Sequence, residues 1–467
     1  MTVERTRGIA VMAVFTFILF AMPRLNVKLG PIPIYIIDGV AAYIILRGYI
    51  MARHNPVARY PFRGLIAIIT ALIVLSEVSV VVYGGSALFG IYTAIEFFLA
   101  FGMVFAIPQF VRTAKDVELV LKALSLGLLV TASMIIMSSL PQTRPIAIAI
   151  FSIPQLDPAN SANRYSIRYG DYGVRGKSLV GVSILSATFV AVAWPMVSYL
   201  KTKRFHLSAF WTFVTTAGIF LSPMGIVMAY SRQALSELVL ILGALLIFPF
   251  WQLRSIMLRP VLISVGLVIF VGVGSSLFFF DRYVNRFTAT FNDPFTDERE
   301  SRRFLSFVTP FEHVLDYPQF FIVGAGSTSN RQDDFEMGRF ENNHSLIGQG
   351  YFAHGMLSTF LFVFLLISAF NYANVHRRNA ARLAPLARDW PRALYLAYLP
   401  MFPVAAFSPA FGENVRGVYM FIFVLGLLSA LRNPDLMASL SKPANVALRD
   451  EAPSVRDDTP LPEESHA

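Results

Sequence analysis

Two basic residue types, placed far apart in the chain, carry the chemistry that this sequence offers. His344 lies in the run Glu341-Asn342-Asn343-His344-Ser345-Leu346. An imidazole at an aqueous surface titrates near pH about 6.5 and so can take a proton at neutral pH. Asn342 and Asn343 can cap the helix that follows. Arg232 lies in Tyr230-Ser231-Arg232-Gln233-Ala234. Ser231 suits the N-cap of the next helix, and a guanidinium beside the positive end of a helix favours an anion, phosphate above all. Arg299, Arg302 and Arg303 form a second basic group, with Arg299 and Arg303 four apart and so on one helical face. Asp38, Glu77, Glu96 and Glu237 fall in or near apolar stretches, where carboxylates are costly and often functional.

Each feature has a plainer reading. A lone His is more often a surface or capping group than a base. An interfacial Arg can snorkel to lipid headgroups. The triple-Arg segment can be a solvated helix face in which Glu298 pairs with Arg302. His354, ten residues after His344, reads as packing. No metal-ligand spacing, Walker motif, Rossmann glycine fingerprint or nucleophile elbow occurs, so metal and nucleotide chemistry have no support in the sequence.

The elements that must position these residues are membrane helices. Of the 467 residues 55% are hydrophobic and only 15% charged, with a mean hydropathy of +0.58, whereas soluble domains carry about a quarter charged residues. Apolar runs of roughly 20 residues recur, each long enough for a hydrocarbon core of about 30 Å, and only helices satisfy their own backbone there. The expected spans are 8–22, 31–50, 64–83, 88–111, 118–140, 178–200, 209–230, 234–251, 260–280, 351–370, 391–410 and 415–431. The expected fold is therefore all-α: a polytopic bundle of about twelve transmembrane helices over 1–432. A disordered cytoplasmic tail, 433–467, would follow. The first span lacks a small-x-small cleavage site before Pro23 and reads as an uncleaved helix.

Basic residues set the orientation. With the N-terminus inside, the clusters Arg47, Arg53, Arg59, Arg63 and Arg377, Arg378, Arg382, Arg388, Arg392 are cytoplasmic, and the short outer loops keep only Arg24, Lys28, Arg232 and Arg416. The formal charge of +10 is then mostly membrane topology, and nucleic-acid binding is excluded as its cause. A chain without cysteine has no disulfide or thiolate chemistry and loses nothing in an oxidising compartment. Two long loops, 141–177 and 281–350, remain outside. The second is rich in Phe, reads as partly helical over 296–315, and turns tightly at Gly324-Ala325-Gly326.

Taken in order, these motifs resemble the O-antigen ligase and O-antigen (exopolysaccharide) polymerase superfamily of membrane glycosyltransferases. Its members share about twelve spans and an Ser-Arg-x-Ala helix start. They also carry a late periplasmic loop with Arg-x-x-x-Trp, Pro, Gly-x-Gly and His-Asn-x-x-Leu motifs. This chain has Ser231-Arg232-Gln233-Ala234, then Arg303 with Phe307 in the Trp place, Pro318, Gly324-Ala325-Gly326, and His344-Ser345-Leu346. Ser345 stands where the Asn after the His is usual, with Asn343 before it, and Arg302 competes with Arg303 for the motif position.

The resemblance implies a GT-C-like bundle in the bacterial inner membrane, multi-pass, with its active site facing the periplasm. The donor would be an undecaprenyl-diphosphate-linked oligosaccharide, and the acceptor a saccharide or a lipid A core. His344 would be the base, Arg232, Arg303 and Arg302 the diphosphate-binding residues, and Asn343, Ser231 and Arg299 supporting residues. No metal and no cofactor are implied. The alternative of another class is a transporter or flippase of lipid-linked sugars, which would line the bundle centre with charge and show internal repeats; no repeat is found.

Overall fold

The computed structural model describes residues 2–22, 25–29, 32–54, 62–83, 86–140, 142–151, 178–180, 183–202, 205–229, 231–274, 318–324, 326, 346–407 and 415–442. The chain opens with α1 (Thr2–Ala21) and a hairpin of β1 (Asn26–Leu29) and β2 (Ile32–Tyr35), paired antiparallel with Asn26 opposite Tyr35. Next come α2 (Ile36–His54), α3 (Arg63–Val78), a 3-10 turn (Ser79–Tyr83), α4 (Ala87–Phe110), α5 (Ala114–Ser139) and α6 (Arg144–Phe151). The middle of the chain forms α7 (Ser183–Leu200), α8 (Ala209–Met228), α9 (Arg232–Ile247) and α10 (Trp251–Gly274). After a 3-10 turn at Pro318–Phe321 come α11 (Leu346–His354), α12 (Met356–Asn379), α13 (Pro385–Tyr398), α14 (Met401–Phe407), α15 (Val415–Ala430) and α16 (Pro434–Ser441).

The protein is a mostly helical, multi-pass membrane protein. Among the described residues, six helical segments are long and apolar enough to cross a membrane: 63–81, α4, α5, α7, α8 and 356–382; there are seven if α15 and α16, bent by 79°, form one broken span. Helices also lie over the other expected spans, as α1, α2, α9, α10, α13 and α15, of which α9, α13 and α15 are shorter than 18 residues and α1 and α2 carry more charge. Outward-facing side chains such as Phe98, Phe213, Val239 and Leu262 are apolar and exposed, which suits a surface of lipid rather than water.

Local sequence explains where the helices begin. Thr113 and Asp116 form a capping box at the start of α5, each side chain bonding the other's backbone N–H. On α9, Gln233, Ala234, Glu237, Leu238, Ile241, Ala244 and Leu245 form a buried stripe at helical spacing, while Val239, Leu240, Leu246 and Ile247 face outward. The centre of the bundle is α7 and α15, nearly all of whose residues are buried. α7 is wrapped by α5, α8, α9 and α13, and α15 lies along α4. Gly218 and Gly225 of α8 sit against Ser125, Leu128 and Ala132 of α5, so two backbones approach closely, as apolar helices do in lipid where packing drives association.

Several expectations need correction. The N-terminal part of the 31–50 span is the β2 strand, because Ile32–Tyr35 pairs back onto Asn26–Leu29 before the helix starts. The 351–370 span is broken at Gly355, whose φ of 85° no helix accommodates, so His354 ends a separate short helix instead of lying inside the span. The 391–410 span divides into α13 and α14 around Pro400. The tail boundary falls later than 433: Asn433 caps α16 by accepting the Asp435 N–H at 3.0 Å, and Leu436 and Leu440, four apart, are fully buried. The expected helix at 296–315 lies outside the described residues.

Candidate functional site

Contacts between helix ends divide the bundle into two faces. Gly8, near the start of α1, lies against Phe110, just before α5, and Thr131, late in α5, donates to the Phe20 carbonyl near the end of α1, so α1 and α5 run in the same direction. Ser139, at the end of α5, donates to the Met228 carbonyl at the end of α8, and α9 starts four residues later. Arg416, at the start of α15, is buried and donates to the carbonyls of Ile18, Leu19 and Met22 at the end of α1. Arg416, which reads from sequence only as a basic residue of a short outer loop, is thus a cap on the negative end of α1. At the opposite end, Arg377 stacks 3.8 Å over Phe248, just past the last residue of α9. Arg232 and the Arg377 to Arg392 cluster are therefore separated by the length of α9, about 24 Å for its 16 residues.

Ser231 is the N-cap of α9, with its Oγ accepting the Ala234 N–H at 3.4 Å, and Arg232 is the first helical residue, partly exposed. Behind it, Gln233 and Glu237 turn inward. Glu237 is fully buried and its Oε1 accepts bonds from Thr188 of α7 at 2.7 Å and from Gln233 at 2.8 Å. This polar tie fixes the start of α9 to the central helix, which determines the direction in which Arg232 leaves the bundle.

The Gly-x-Gly segment is seated at the same end. Its Gly324 N–H donates to Ser76 Oγ at 2.9 Å, Ser79 Oγ donates to the Gly324 carbonyl at 2.8 Å, and the Gly326 N–H donates to the Ala353 carbonyl at 2.9 Å. A Cβ on Gly324 would overlap the backbone of Ala353 and His354, so only glycine fits there. Beneath this seat His354 Nδ1 lies 3.4 Å from Glu77 Oε1, both side chains buried, with Phe97 edge-on to the imidazole at 5.0 Å. Next to it, Asp38 accepts from Tyr92 at 2.9 Å and from Tyr419 at 3.0 Å, and Tyr92 also reaches Glu96 at 3.4 Å. Tyr419 is close to Arg416 in α15, and Gly90, two residues before Tyr92, abuts the Glu77 carbonyl. The seat therefore belongs to the face that carries Arg416 and Arg232.

Of the expected site residues, the described ones are Ser231 and Arg232. Arg299, Arg302, Arg303, Asn343 and His344 lie outside the described residues, and α11 begins at Leu346, two positions after His344. α14 touches both α9 and α11, so a single short helix spans from the Ser-Arg element to the element that follows His344. The four intramembrane carboxylates are all engaged by side chains of neighbouring residues or helices. Among the described residues no group of three or more His, Cys, Asp or Glu is arranged to hold a metal ion. No protein-family model matches the chain, and no curated protein matches it.

Proposed function

We propose that the protein transfers an undecaprenyl-diphosphate-linked saccharide to a saccharide acceptor on the periplasmic face of a bacterial inner membrane. It would act as an exopolysaccharide or O-antigen polymerase, or as an O-antigen ligase with a lipid A core as acceptor, from a bundle of about twelve crossings. The reading is carried by one observation: the Ser231-capped start of α9, headed by Arg232, lies on the same face as the Gly324–Gly326 seat and is joined through α14 to α11. In the reaction, the acceptor hydroxyl oxygen attacks the anomeric carbon with inversion. The bond from that carbon to the lipid diphosphate breaks and the diphosphate leaves with the bonding pair. His344 takes the hydroxyl proton. Arg232, with Arg303 or Arg302, stabilises the charge that develops on the leaving diphosphate, aided by the α9 N-terminus. Asn343, Ser231 and Arg299 support these groups. The buried carboxylates are where a transport function would look for support, yet each is held in a local hydrogen-bonded or ionic contact.

Orientation is tested in this cysteine-free chain with single cysteines at Gln142 and Ala381, both exposed. Gln142→Cys should react with an impermeant thiol reagent added outside the cell and Ala381→Cys should not; the reverse pattern would overturn the topology. The diphosphate role is tested at Arg232. Arg232→Ala should weaken binding of a lipid-diphosphate saccharide by about 10- to 100-fold, the range for a hydrogen bond to a charged group. Arg232→Lys should recover only part of it, since a point charge does not reproduce a planar fork. Unchanged donor affinity in Arg232→Ala would remove Arg232 from the site.

A further inference from the structure

The far end of the bundle carries guanidinium groups set on aromatic rings, with little acid to balance them. Arg377, in the last turn of α12, is held by two N–H bonds to Asn374 Oδ1, at 2.9 and 2.6 Å, with its plane 3.8 Å over Phe248 and 5.0 Å from the Tyr395 ring. Arg392 of α13 stands 5.5 Å over Phe250 and pairs with Asp389 at 3.0 Å. Arg378 and Arg392 are near enough to act electrostatically on Arg377, and Arg388 and Arg392 act on Asp389. Among the described residues of this cluster, Asp389 is the one carboxylate, and it pairs with Arg392, leaving Arg377 and Arg378 without an acidic partner within it. Like charges held this close, and pre-oriented by stacking, favour an anion with several acceptor oxygens.

Beside this cluster the surface is apolar. Ile247 is 76% exposed, Trp251 72% and Leu246 60%, and Arg254 lies 5.6 Å over the Trp251 ring. A free phosphate would gain nothing from that strip, whereas an amphiphile would place its chain on the strip and its headgroup on the arginines. We propose that the surface formed by the end of α12, the start of α13 and the turn between α9 and α10 binds an anionic phospholipid. Its phosphate would sit among Arg377, Arg378 and Arg392, and its acyl chain along Leu246, Ile247 and Trp251. The site stands apart from the transfer reaction and does not rest on it.

The experiment is native mass spectrometry of the full-length protein in detergent, titrated with phosphatidylglycerol, with phosphatidylcholine, and with inorganic phosphate as competitor. Wild type should retain phosphatidylglycerol in preference to phosphatidylcholine. Arg377→Gln and Arg378→Gln should each reduce that retention about fivefold, as expected for one basic group at a lipid surface. Arg378 is exposed, so its variant keeps the test alive if Arg377→Gln does not fold. Arg53→Gln, in an exposed pair with Tyr49 on α2, is the control for general charge and should leave retention unchanged. Equal retention of the two lipids, an equal loss in Arg53→Gln, or displacement by inorganic phosphate would each overturn the proposal.

Discussion

Glu77→Leu should destabilise the folded protein by about 1–3 kcal/mol, the range for taking one polar neighbour away from another buried polar group. His354, buried between α3, α4 and α11, would then lose the carboxylate that lies 3.4 Å from its Nδ1. His354→Leu should cost a similar amount, by leaving the Glu77 carboxylate without its imidazole. The double variant should cost less than the sum, because the second substitution removes the group that the first one left without its neighbour. Denaturant titration in detergent, monitored by helicity, measures the cycle. Single variants that unfold at the wild-type midpoint, or strictly additive losses, would show that the pair does not hold this end of the bundle together. Because Ser76, next to Glu77, receives the Gly324 N–H, the same substitutions should also loosen the Gly324–Gly326 seat.

What could be read from the sequence was local. Hydropathy marks a membrane protein because burial in lipid depends on composition within one segment, and Ser231 was legible as an N-cap because a cap bonds a backbone group three residues away. What was not legible depends on partners brought together by packing. Ser76 and His354 are 278 positions apart, Asp38 and Tyr419 381 apart, and Arg416 caps a helix that ends almost 400 residues earlier. His354, which reads from sequence as packing, is instead the buried partner of Glu77. Gln233 is the unspecified position of the Ser-Arg-x-Ala motif, yet its amide links Glu237 to the helix start. The α16 helix was hidden by the polar residues around it, which outweigh Leu436 and Leu440 in any composition count.

The second large effect belongs to His344, and it bears on the proposed activity itself. A positioned general base contributes about 10²–10⁴-fold to a proton-transfer step, and a sugar hydroxyl needs such a base to attack at neutral pH. His344→Ala should therefore reduce transfer by that factor while leaving donor binding close to wild type, since the diphosphate is held by arginines rather than by the imidazole. The direct measurement uses purified protein in lipid vesicles, an undecaprenyl-diphosphate-linked oligosaccharide, and a metal chelator throughout. Donor alone tests for polymer, and donor with lipid A core tests for ligation. Wild type should form a glycosylated product in one of the two mixtures with release of undecaprenyl diphosphate, and His344→Ala should form almost none. Wild-type levels of product from His344→Ala, or no product from wild-type protein in either mixture, would contradict the account.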